Sequence, residues 1–203
     1  LVNTFATVLV AHPSLPANNV AELVALARSQ PGKLTYGSNG EGGFPHLWFE
    51  DLAKQAGIKF TFIPYKGAAQ VATDLISGQI MVAGDGVSAM VPYLNANQMK
   101  LLGVTSETRT AQFPDAPAIA EVLPGFTATG EFGYVGPAKM QAEHVRILNK
   151  AINDALLTPE VKARLPGLGL TAVAESPEYF EQVFKTQYER FGNIIKAIGY
   201  QPK

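Results

Sequence analysis

The residues best suited to binding chemistry lie in one glycine-rich stretch, Leu34-Thr-Tyr-Gly-Ser38-Asn39-Gly40-Glu-Gly42-Gly43-Phe-Pro-His46. A short strand pattern precedes four glycines in seven residues, and a helix pattern begins near Pro45. Glycine allows positive φ and a close approach of the backbone to a ligand. The first turn of the following helix adds unpaired N–H groups and the positive end of the helix dipole. The stretch therefore predicts a receptor for a carboxylate or a phosphate.

Hydrogen-bond donors for an anion are available throughout this turn. We expect them to be backbone N–H groups near Asn39, Gly40 and Gly42, together with the Ser38 hydroxyl and the Asn39 amide. Gly43 completes the predicted ligand-binding set on this turn. The Gly-Lys-Ser/Thr ending of a phosphate-binding P-loop is absent. The simplest alternative is a tight strand-to-helix connection, which glycines often serve.

Two further turns, Pro64-Tyr65-Lys66-Gly67 and Gly84-Asp85-Gly86, each follow an apolar strand pattern. Tyr65 is a candidate wall or hydroxyl donor of the site, and Lys66 and Gly67 are candidate contacts for a carboxylate. Lysines in such turns usually face solvent, which is the alternative for Lys66. Asp85 is expected to orient donors, or to accept from an amine, a hydroxyl or an ordered water of the solute.

The sequence gives little support for a catalytic site or a metal site. Ser38, His46 and Asp85 form a Ser-His-Asp set on paper, but Ser38 and His46 come from one turn and its following helix, and no Gly-x-Ser-x-Gly elbow is present. A lone histidine in a first helical turn is more often a capping or packed residue. The three histidines are not spaced for a metal site, and no dinucleotide fingerprint is found. We predict no catalytic residue, metal or cofactor; the alternative is a small α/β hydrolase or transferase using residues 38–43 as an anion cradle.

The composition indicates a folded protein with a large core. Hydrophobic residues make up 47% of the 203 residues and charged residues 16%, with a net charge of −1. Lysine and arginine do not cluster, which argues against a nucleic-acid surface. Cysteine is absent, which excludes disulfides and thiolate chemistry. The start, Leu1-Val-Asn, has neither an initiator methionine nor a signal peptide, and we expect the chain to be a fragment.

Strand and helix patterns alternate through the first 105 residues. The predicted strands are 5–11, 34–36, 60–63, 80–83 and 100–104, and the predicted helices begin after 18 or 19, near 45, at 68 and at 89. This alternation, with near-continuous apolar strands, predicts a parallel or mixed α/β sheet. Ligands of such sheets bind at the carboxyl ends of strands. The hypothesis requires the three glycine turns to converge there, with amides that are free of protein acceptors.

The last 65 residues have a different pattern. Long amphipathic helices are predicted over 141–157 and from 177 onward, with a short helix from Pro159 and at most one strand, 170–173. Two such helices cannot close a core of their own. Their apolar faces need a partner sheet, and self-association through these exposed faces is a further expectation.

Seven motifs in order resemble one known family. They are the glycine-rich stretch, Pro64-Tyr-Lys-Gly67, Asp74-Leu-Ile-Ser-Gly-Gln79, Leu102-Gly-Val-Thr-Ser106 with Arg109, Phe113-Pro-Asp115, Tyr134-Val-Gly-Pro137 and Tyr188-Glu-Arg-Phe-Gly192. Each motif alone is weakly specific. In this order and spacing the whole chain resembles the Bug, or TctC-type, extracytoplasmic solute-binding receptors of tripartite tricarboxylate transporters.

The resemblance implies a periplasmic, two-lobed α/β fold of the periplasmic-binding-protein type II kind, which closes on a small carboxylated solute and delivers it to a membrane permease. Residues 1–9 would be a crossing strand from lobe one, 10–129 would be lobe two, and 130–203 would be the crossing segment and the C-terminal helices of lobe one. A full member has roughly a further third of its length upstream, so lobe one would be incomplete.

The chain departs from the family pattern at several positions. Phe132 or Tyr134 stands where the family usually has tryptophan, and Ala118 precedes Glu121 where a Thr-x-x-Glu is usual. The strand before Asp85 carries no acid, and Gly84 replaces a bulky residue. This last change predicts a roomier or different ligand pocket.

Overall fold

The computed structural model describes residues 1–201 of the mixed α/β chain, so the last two residues of the predicted 130–203 segment lie outside the described part. The chain forms two compact units. One unit takes Leu1–Phe5 and Gly130–Asn193, and the other takes Ala6–Thr129 together with the chain from Ile194 onward. We call them the helical unit and the sheet unit. Within the described residues, no helix is long and apolar enough to cross a membrane.

The sheet unit contains strands that alternate with helices, as the hydrophobic pattern predicts. In chain order its elements are β1 (Asn3–Ala11, which begins in the helical unit), α1 (Val20–Ser29), β2 (Thr35–Ser38), α2 (Phe44–Ala56), β3 (Thr61–Pro64), α3 (Ala68–Ile76), β4 (Val82–Gly86), α4 (Val87–Asn95) and β5 (Lys100–Val104), followed by a 3₁₀ turn (Ile119–Glu121). Its sheet has the strand order β3-β2-β4-β1-β5. β2 runs parallel to both β3 and β4, whereas β1 is antiparallel to β4 and β5, so the sheet is mixed.

Helices cover both faces of this sheet because its strands are apolar on both sides. Alternate residues of β1 divide between two clusters, with Leu9 in one and Val8 in the other. The first cluster packs α1 and α2 against one face, around the fully buried Trp48 and Phe49. The second packs α3 and α4 against the opposite face, around Leu75 and Met90. These two layers hold the strand ends that carry the candidate site.

Two helix ends follow directly from sequence signals. Asn19 is the N-cap of α1, and its side chain accepts a hydrogen bond from the Glu22 N–H at 2.9 Å. Gly57 ends α2 in the left-handed conformation, with φ of 63°, where glycine avoids the steric cost of a side chain. The cap at Asn19 agrees with the helix start predicted after residue 18 or 19.

The helical unit consists of β6 (Thr129–Phe132), α5 (Ala142–Leu156), α6 (Pro159–Arg164), a 3₁₀ turn (Pro166–Leu168), β7 (Leu170–Ala172) and most of α7 (Pro177–Ile198). The start of β1 pairs antiparallel with β7, and β6 also pairs with β1. Apolar side chains on the long helices are exposed, among them Leu148 (50%) and Phe184 (61%). This agrees with the prediction that these helices leave apolar faces without a partner.

The fourth strand is displaced from its predicted position. The pattern predicts a strand over 80–83 and a helix from Ala89, whereas β4 covers Val82–Gly86 and α4 begins at Val87. Gly84, Asp85 and Gly86 are strand residues because they pair with Leu9, Val8 and Thr7 of β1. The carboxyl end of β4 therefore lies three residues later than the apolar pattern indicates.

Candidate anion-binding site

Three strand ends of the sheet unit meet at one edge. β2 occupies the middle position, with β3 on one side and β4 on the other, and all three strands are parallel. Their last residues are Ser38, Pro64 and Gly86. Neighbouring strands lie about 4.8 Å apart, so the three glycine turns come together as the hypothesis requires.

Each of these strands leads into a helix whose N-cap is glycine. The N-caps are Gly43 for α2, Gly67 for α3 and Gly86 for α4, and none of the three provides a side-chain capping hydrogen bond. A helix without such a cap presents its first-turn N–H groups and the positive end of its dipole to whatever lies in front of it. Three positive helix ends therefore point to one edge of the sheet.

Two hydrogen bonds hold the three turns in a fixed arrangement. The Asn39 amide donates to Oδ2 of Asp85 at 3.0 Å, which joins the turn after β2 to the end of β4. The Tyr65 N–H donates to the Ser38 carbonyl at 3.1 Å, which joins the turn after β3 to the end of β2. One hydrogen of the Asn39 amide nitrogen is used in this contact, and a primary amide has two.

The Asp85 carboxylate gives the edge an uneven charge. Its Oδ1 accepts the Gly86 N–H at 2.7 Å, so the carboxylate lies at the positive end of α4. Burial raises the pKa of Asp85, while the Gly86 N–H acts in the opposite direction. A solute anion is disfavoured beside this carboxylate and is favoured near the ends of α2 and α3.

The glycine turn itself uses most of its own donors, contrary to the sequence expectation. The Gly40 N–H donates to the Ser38 carbonyl at 3.0 Å, and the Gly43 N–H donates to the Gly40 carbonyl at 3.4 Å. The Gly42 N–H donates to Nδ1 of His46 at 3.0 Å. The expectation that the amides of Gly40 and Gly42 are free is wrong in this conformation, because the turn folds back on itself. Direct contact of these residues with a solute remains a prediction.

Ser38 cannot act as an exposed nucleophile in this conformation. Its side chain is fully buried and its hydroxyl donates to the Gly40 carbonyl at 3.1 Å. The Nδ1 atom of His46 is used to accept the Gly42 N–H, so it does not serve as a base for the Ser38 hydroxyl in this conformation. Ser38 therefore stabilises the turn from its buried side, through the hydrogen bond to Gly40.

His46 is a packed first-turn residue, as the sequence alternative predicts, and it also fixes the glycine turn. The ring is buried and stacks on Phe62, with 4.1 Å between ring centroids. Burial lowers the pKa of His46, although Glu50 and Glu41 act in the opposite direction. A neutral ring suits its contact, because Nδ1 must carry a lone pair to accept the Gly42 N–H. The spacing of four residues between Gly42 and His46 is the sequence signal for this contact, because it places a histidine of the first helical turn next to the glycine turn.

In the turn after β3, the Tyr65 hydroxyl is not available to a solute, whereas Lys66 is exposed. The Tyr65 hydroxyl donates to Asp74 of α3 at 2.8 Å, and burial together with this bond raises the pKa of Tyr65 to about 12. The Tyr65 ring lies against Gly37, where a Cβ would come within 2.8 Å of it. Tyr65 therefore contributes its backbone and ring to the edge, while its hydroxyl is engaged elsewhere. Lys66 is exposed, so its charge is available at the mouth of the edge.

Gly84 does not open a larger pocket, which corrects the sequence expectation. It is buried beneath Trp48 of α2, and a Cβ at this position would lie 2.2 Å from the indole ring. The space given up by the missing side chain is filled by the tryptophan. No group of His, Asp or Glu side chains within residues 1–201 is arranged to hold a metal ion.

The α/β/α sheet unit with three helix ends at one edge is typical of the periplasmic-binding-protein class of solute receptors. The sequence matches the family described as "Tripartite tricarboxylate transporter family receptor" over residues 1–200. The chain belongs to this family, whose members are receptors and not enzymes. The hydrolase or transferase alternative is therefore wrong.

Relatives and solved structures agree with this assignment. The UPF0065 protein in the tcbD-tcbE intergenic region of Pseudomonas sp. strain P51 is 33% identical over 197 residues, which are 96% of this chain and 59% of that protein. Protein BugT of Bordetella pertussis is 26% identical over 100% of this chain and 63% of its own length. The structure of R. palustris Rpa4515 with adipate has a TM-score of 0.87 and 28% identity, covering 98% of this chain and 67% of that one. The chain thus spans about three fifths of the length of these curated relatives.

Proposed function

We propose that the chain is part of an extracytoplasmic receptor that captures a small carboxylated solute for a tripartite tricarboxylate-type membrane transporter. The observation that carries this proposal is the set of three glycine-capped helix ends, α2, α3 and α4, at the edge formed by β3, β2 and β4. Neutral backbone dipoles of this kind bind an anion without an opposing salt bridge. The periplasm as location and a permease as partner follow from the family and belong to the proposal.

The charges of the edge favour a carboxylate over a phosphate. Asp85 places a negative charge beside the site, and the cation predicted for the site is the exposed Lys66. A phosphate dianion carries about twice the charge of a carboxylate group, so the Asp85 carboxylate would repel it more strongly. Adipate, the ligand of the R. palustris relative, carries one carboxylate at each end of an apolar chain. We propose a linear dicarboxylate of this kind, with one carboxylate at the edge.

Within the edge, we assign the carboxylate to the side of α2 and α3. The donors proposed for it are the second hydrogen of the Asn39 amide and the first-turn N–H groups behind Gly43 and Gly67, with Lys66 adding long-range attraction. Asp85 fixes Asn39 through the 3.0 Å contact. The turn takes its conformation from Ser38, Gly40 and Gly42. The ring of Tyr65 forms one wall of the proposed site.

The expected affinity is moderate. Hydrogen bonds to a charged group contribute roughly 1.5–3 kcal/mol each. Three or four of them, less the cost of ordering the solute, leave about −8 kcal/mol, which corresponds to a micromolar dissociation constant.

Thermal unfolding with a panel of organic acids tests the proposal. Adipate and other linear dicarboxylates at about 100 times the dissociation constant should stabilise the chain by about 2.7 kcal/mol, which raises the unfolding midpoint by roughly 5–10 °C for a chain of this size. Adipamide, with the same carbon chain and no charge, is the matched control. Stabilisation by adipamide equal to that by adipate, or no response to any acid at millimolar concentration, would contradict the proposal.

A further inference from the structure

The glycine turn is contacted by the C-terminal end of the described chain. Gly42 has φ of 75°, and a Cβ built on it would lie 2.4 Å from Cε1 and 2.7 Å from Cζ of Tyr200. The Tyr200 ring therefore packs directly on the α-carbon of Gly42. The Tyr200 hydroxyl also donates to the Glu41 carbonyl at 3.2 Å.

Backbone hydrogen bonds at the end of α7 fix the position of Tyr200. Gly199 takes the left-handed conformation, with φ of 68°. The Tyr200 N–H donates to the Ile195 carbonyl at 3.1 Å, and the Gly199 N–H donates to the Lys196 carbonyl at 3.3 Å. This pair of bonds is the Schellman motif, which turns the chain sharply away from the helix axis. The turn, and not only a flexible side chain, brings the ring to Gly42.

His46 holds Gly42 through a different group. The Gly42 N–H donates to His46 Nδ1 at 3.0 Å, while Tyr200 packs on the α-carbon. The two rings lie 6.5 Å apart and nearly perpendicular, at 82°. A cavity of about 460 Å³, lined in part by His46, Phe62 and Tyr200, leaves the neighbourhood of these contacts incompletely packed. The conformation of Gly42 therefore depends on a small number of specific contacts.

We propose that Tyr200 is a positioning residue of the anion-binding turn, holding Gly42 in its left-handed conformation through the contact of its ring with the α-carbon, while the exposed hydrogen bond to Glu41 adds little. The turn between β2 and α2 has five residues, so the conformation of Gly42 sets the direction of both the Asn39 amide and the Gly43 cap of α2. This inference rests on the proposed function, because Tyr200 touches the turn and not the solute.

Tyr200→Ala and Tyr200→Phe, compared in two measurements, test this role. Calorimetric titration with adipate should show an affinity about tenfold lower for Tyr200→Ala and within about twofold of wild type for Tyr200→Phe, which loses one partly exposed hydrogen bond and keeps the ring. Amide hydrogen exchange of the free protein should be faster at Gly42 in Tyr200→Ala and unchanged in Tyr200→Phe. Tyr188→Ala, a change of the same type at a 75% exposed position within α7, is the control for both.

A second pair of variants tests the direct contact. Gly42→Ala places a methyl group against the Tyr200 ring, whereas in a Tyr200→Ala background no ring opposes it, although the strain of positive φ remains. The loss of stability caused by Gly42→Ala should therefore be smaller in the Tyr200→Ala background. An equal loss in both backgrounds would overturn the inference.

The outcomes separate this inference from the function on which it rests. If wild type binds adipate and Tyr200→Ala binds it equally well, with Gly42 still protected from exchange, the inference is overturned and the proposed function stands. If wild type binds none of the acids, the proposed function fails, and the role of Tyr200 in solute binding fails with it. Weaker binding with faster exchange in Tyr200→Ala alone supports the inference.

Discussion

Asn39 is the residue at which two turns of the proposed site meet. Its amide nitrogen gives one hydrogen to Asp85 and has a second to offer a solute. The Asp85 carboxylate repels an anion, but its hydrogen bond with Asn39 also fixes the direction of that second hydrogen.

Replacing Asn39 should weaken solute binding directly. Asn39→Ala removes a donor to a charged group, so the dissociation constant for adipate should rise about tenfold or more. Asn39→Asp should weaken binding further, because it places a second carboxylate beside Asp85. Calorimetry compares both with Asn95→Ala, an exposed asparagine at the end of α4. Wild-type affinity in Asn39→Ala would show that this amide does not contact the solute.

The contact of His46 with Gly42 predicts a pH dependence of binding. Only the neutral ring accepts the Gly42 N–H, and burial places the pKa of His46 below the ordinary histidine value. Binding should therefore be constant around neutral pH and should weaken as the pH falls below about 6.5, since protonation puts a hydrogen on Nδ1 and opens the turn. The same sign applies to stability: the unfolded chain takes up a proton before the folded chain does, so the free energy of unfolding falls on acidification.

Calorimetry of wild type and His46→Asn between pH 7.5 and 5 checks this dependence. Asparagine places an acceptor near the position of Nδ1 and does not titrate. Its binding should lack the acid-dependent step, even if its affinity is lower at every pH. The same acid-dependent loss in both proteins would assign the step to a group other than His46 and would contradict this account.

At the scale of elements, the packing of α2 on β4 sets the geometry of the edge. Gly84 allows the Trp48 indole to lie directly on the strand, and the two elements carry the Gly43 and Gly86 helix caps at their ends. A change in their separation would move one positive helix end relative to the other. The close contact between Gly84 and Trp48 therefore fixes the relative position of two of the helix ends proposed to bind the solute.

Gly84→Ala should destabilise the sheet unit strongly. A methyl group 2.2 Å from the buried Trp48 ring forces the ring or the strand to shift, and overpacking of this kind costs about 3 kcal/mol. Gly67→Ala is the matched control: its Cβ would meet no atom within 4 Å and its φ of −173° is extended, so only the poorer N-cap preference of alanine remains and the loss should stay at about 1 kcal/mol or below. Denaturant unfolding followed by the fluorescence of Trp48, the single tryptophan, measures both. Equal midpoints for the two variants would contradict the packing described.

Local patterns predict most elements but not how they pair. Asn19, Gly57 and the bounds of α3 follow from capping and periodicity within a few residues of chain. The position of β4 does not, because Gly84 and Gly86 have turn propensity and become strand residues only by pairing with β1. The convergence of the three strand ends was predictable, because ligand sites of α/β sheets lie at the carboxyl ends of the strands. The acceptors of the Gly40 and Gly42 amides were not predictable, because they depend on how one short turn folds on itself.

At the scale of the whole molecule, the helical unit presents apolar side chains to solvent. Tyr134 and Val135 are 73% and 86% exposed, and Leu148 and Phe184 lie on the long helices of the same unit. Exposed apolar side chains in such number favour association.

The isolated chain should therefore self-associate in a concentration-dependent manner. Light scattering after size exclusion should show a mean mass above that of the monomer at high protein concentration. Leu148→Glu and Phe184→Glu should shift it towards the monomer, because each places a charge in the association surface. Gln182→Glu, an exposed polar position on α7, is the control. A single monomeric mass at all concentrations would contradict this expectation.

The central claim is that the ends of β2, β3 and β4 form one receiving edge for a carboxylate, and a nuclear magnetic resonance titration tests it most directly. Addition of adipate to the ¹⁵N-labelled chain should shift the amide resonances of residues 39–43, 65–68 and 85–87 together, with one dissociation constant, while adipamide leaves them in place. Shifts confined to one of these turns, or centred on the apolar cavity between Tyr134 and Met140 of the helical unit, would contradict the account.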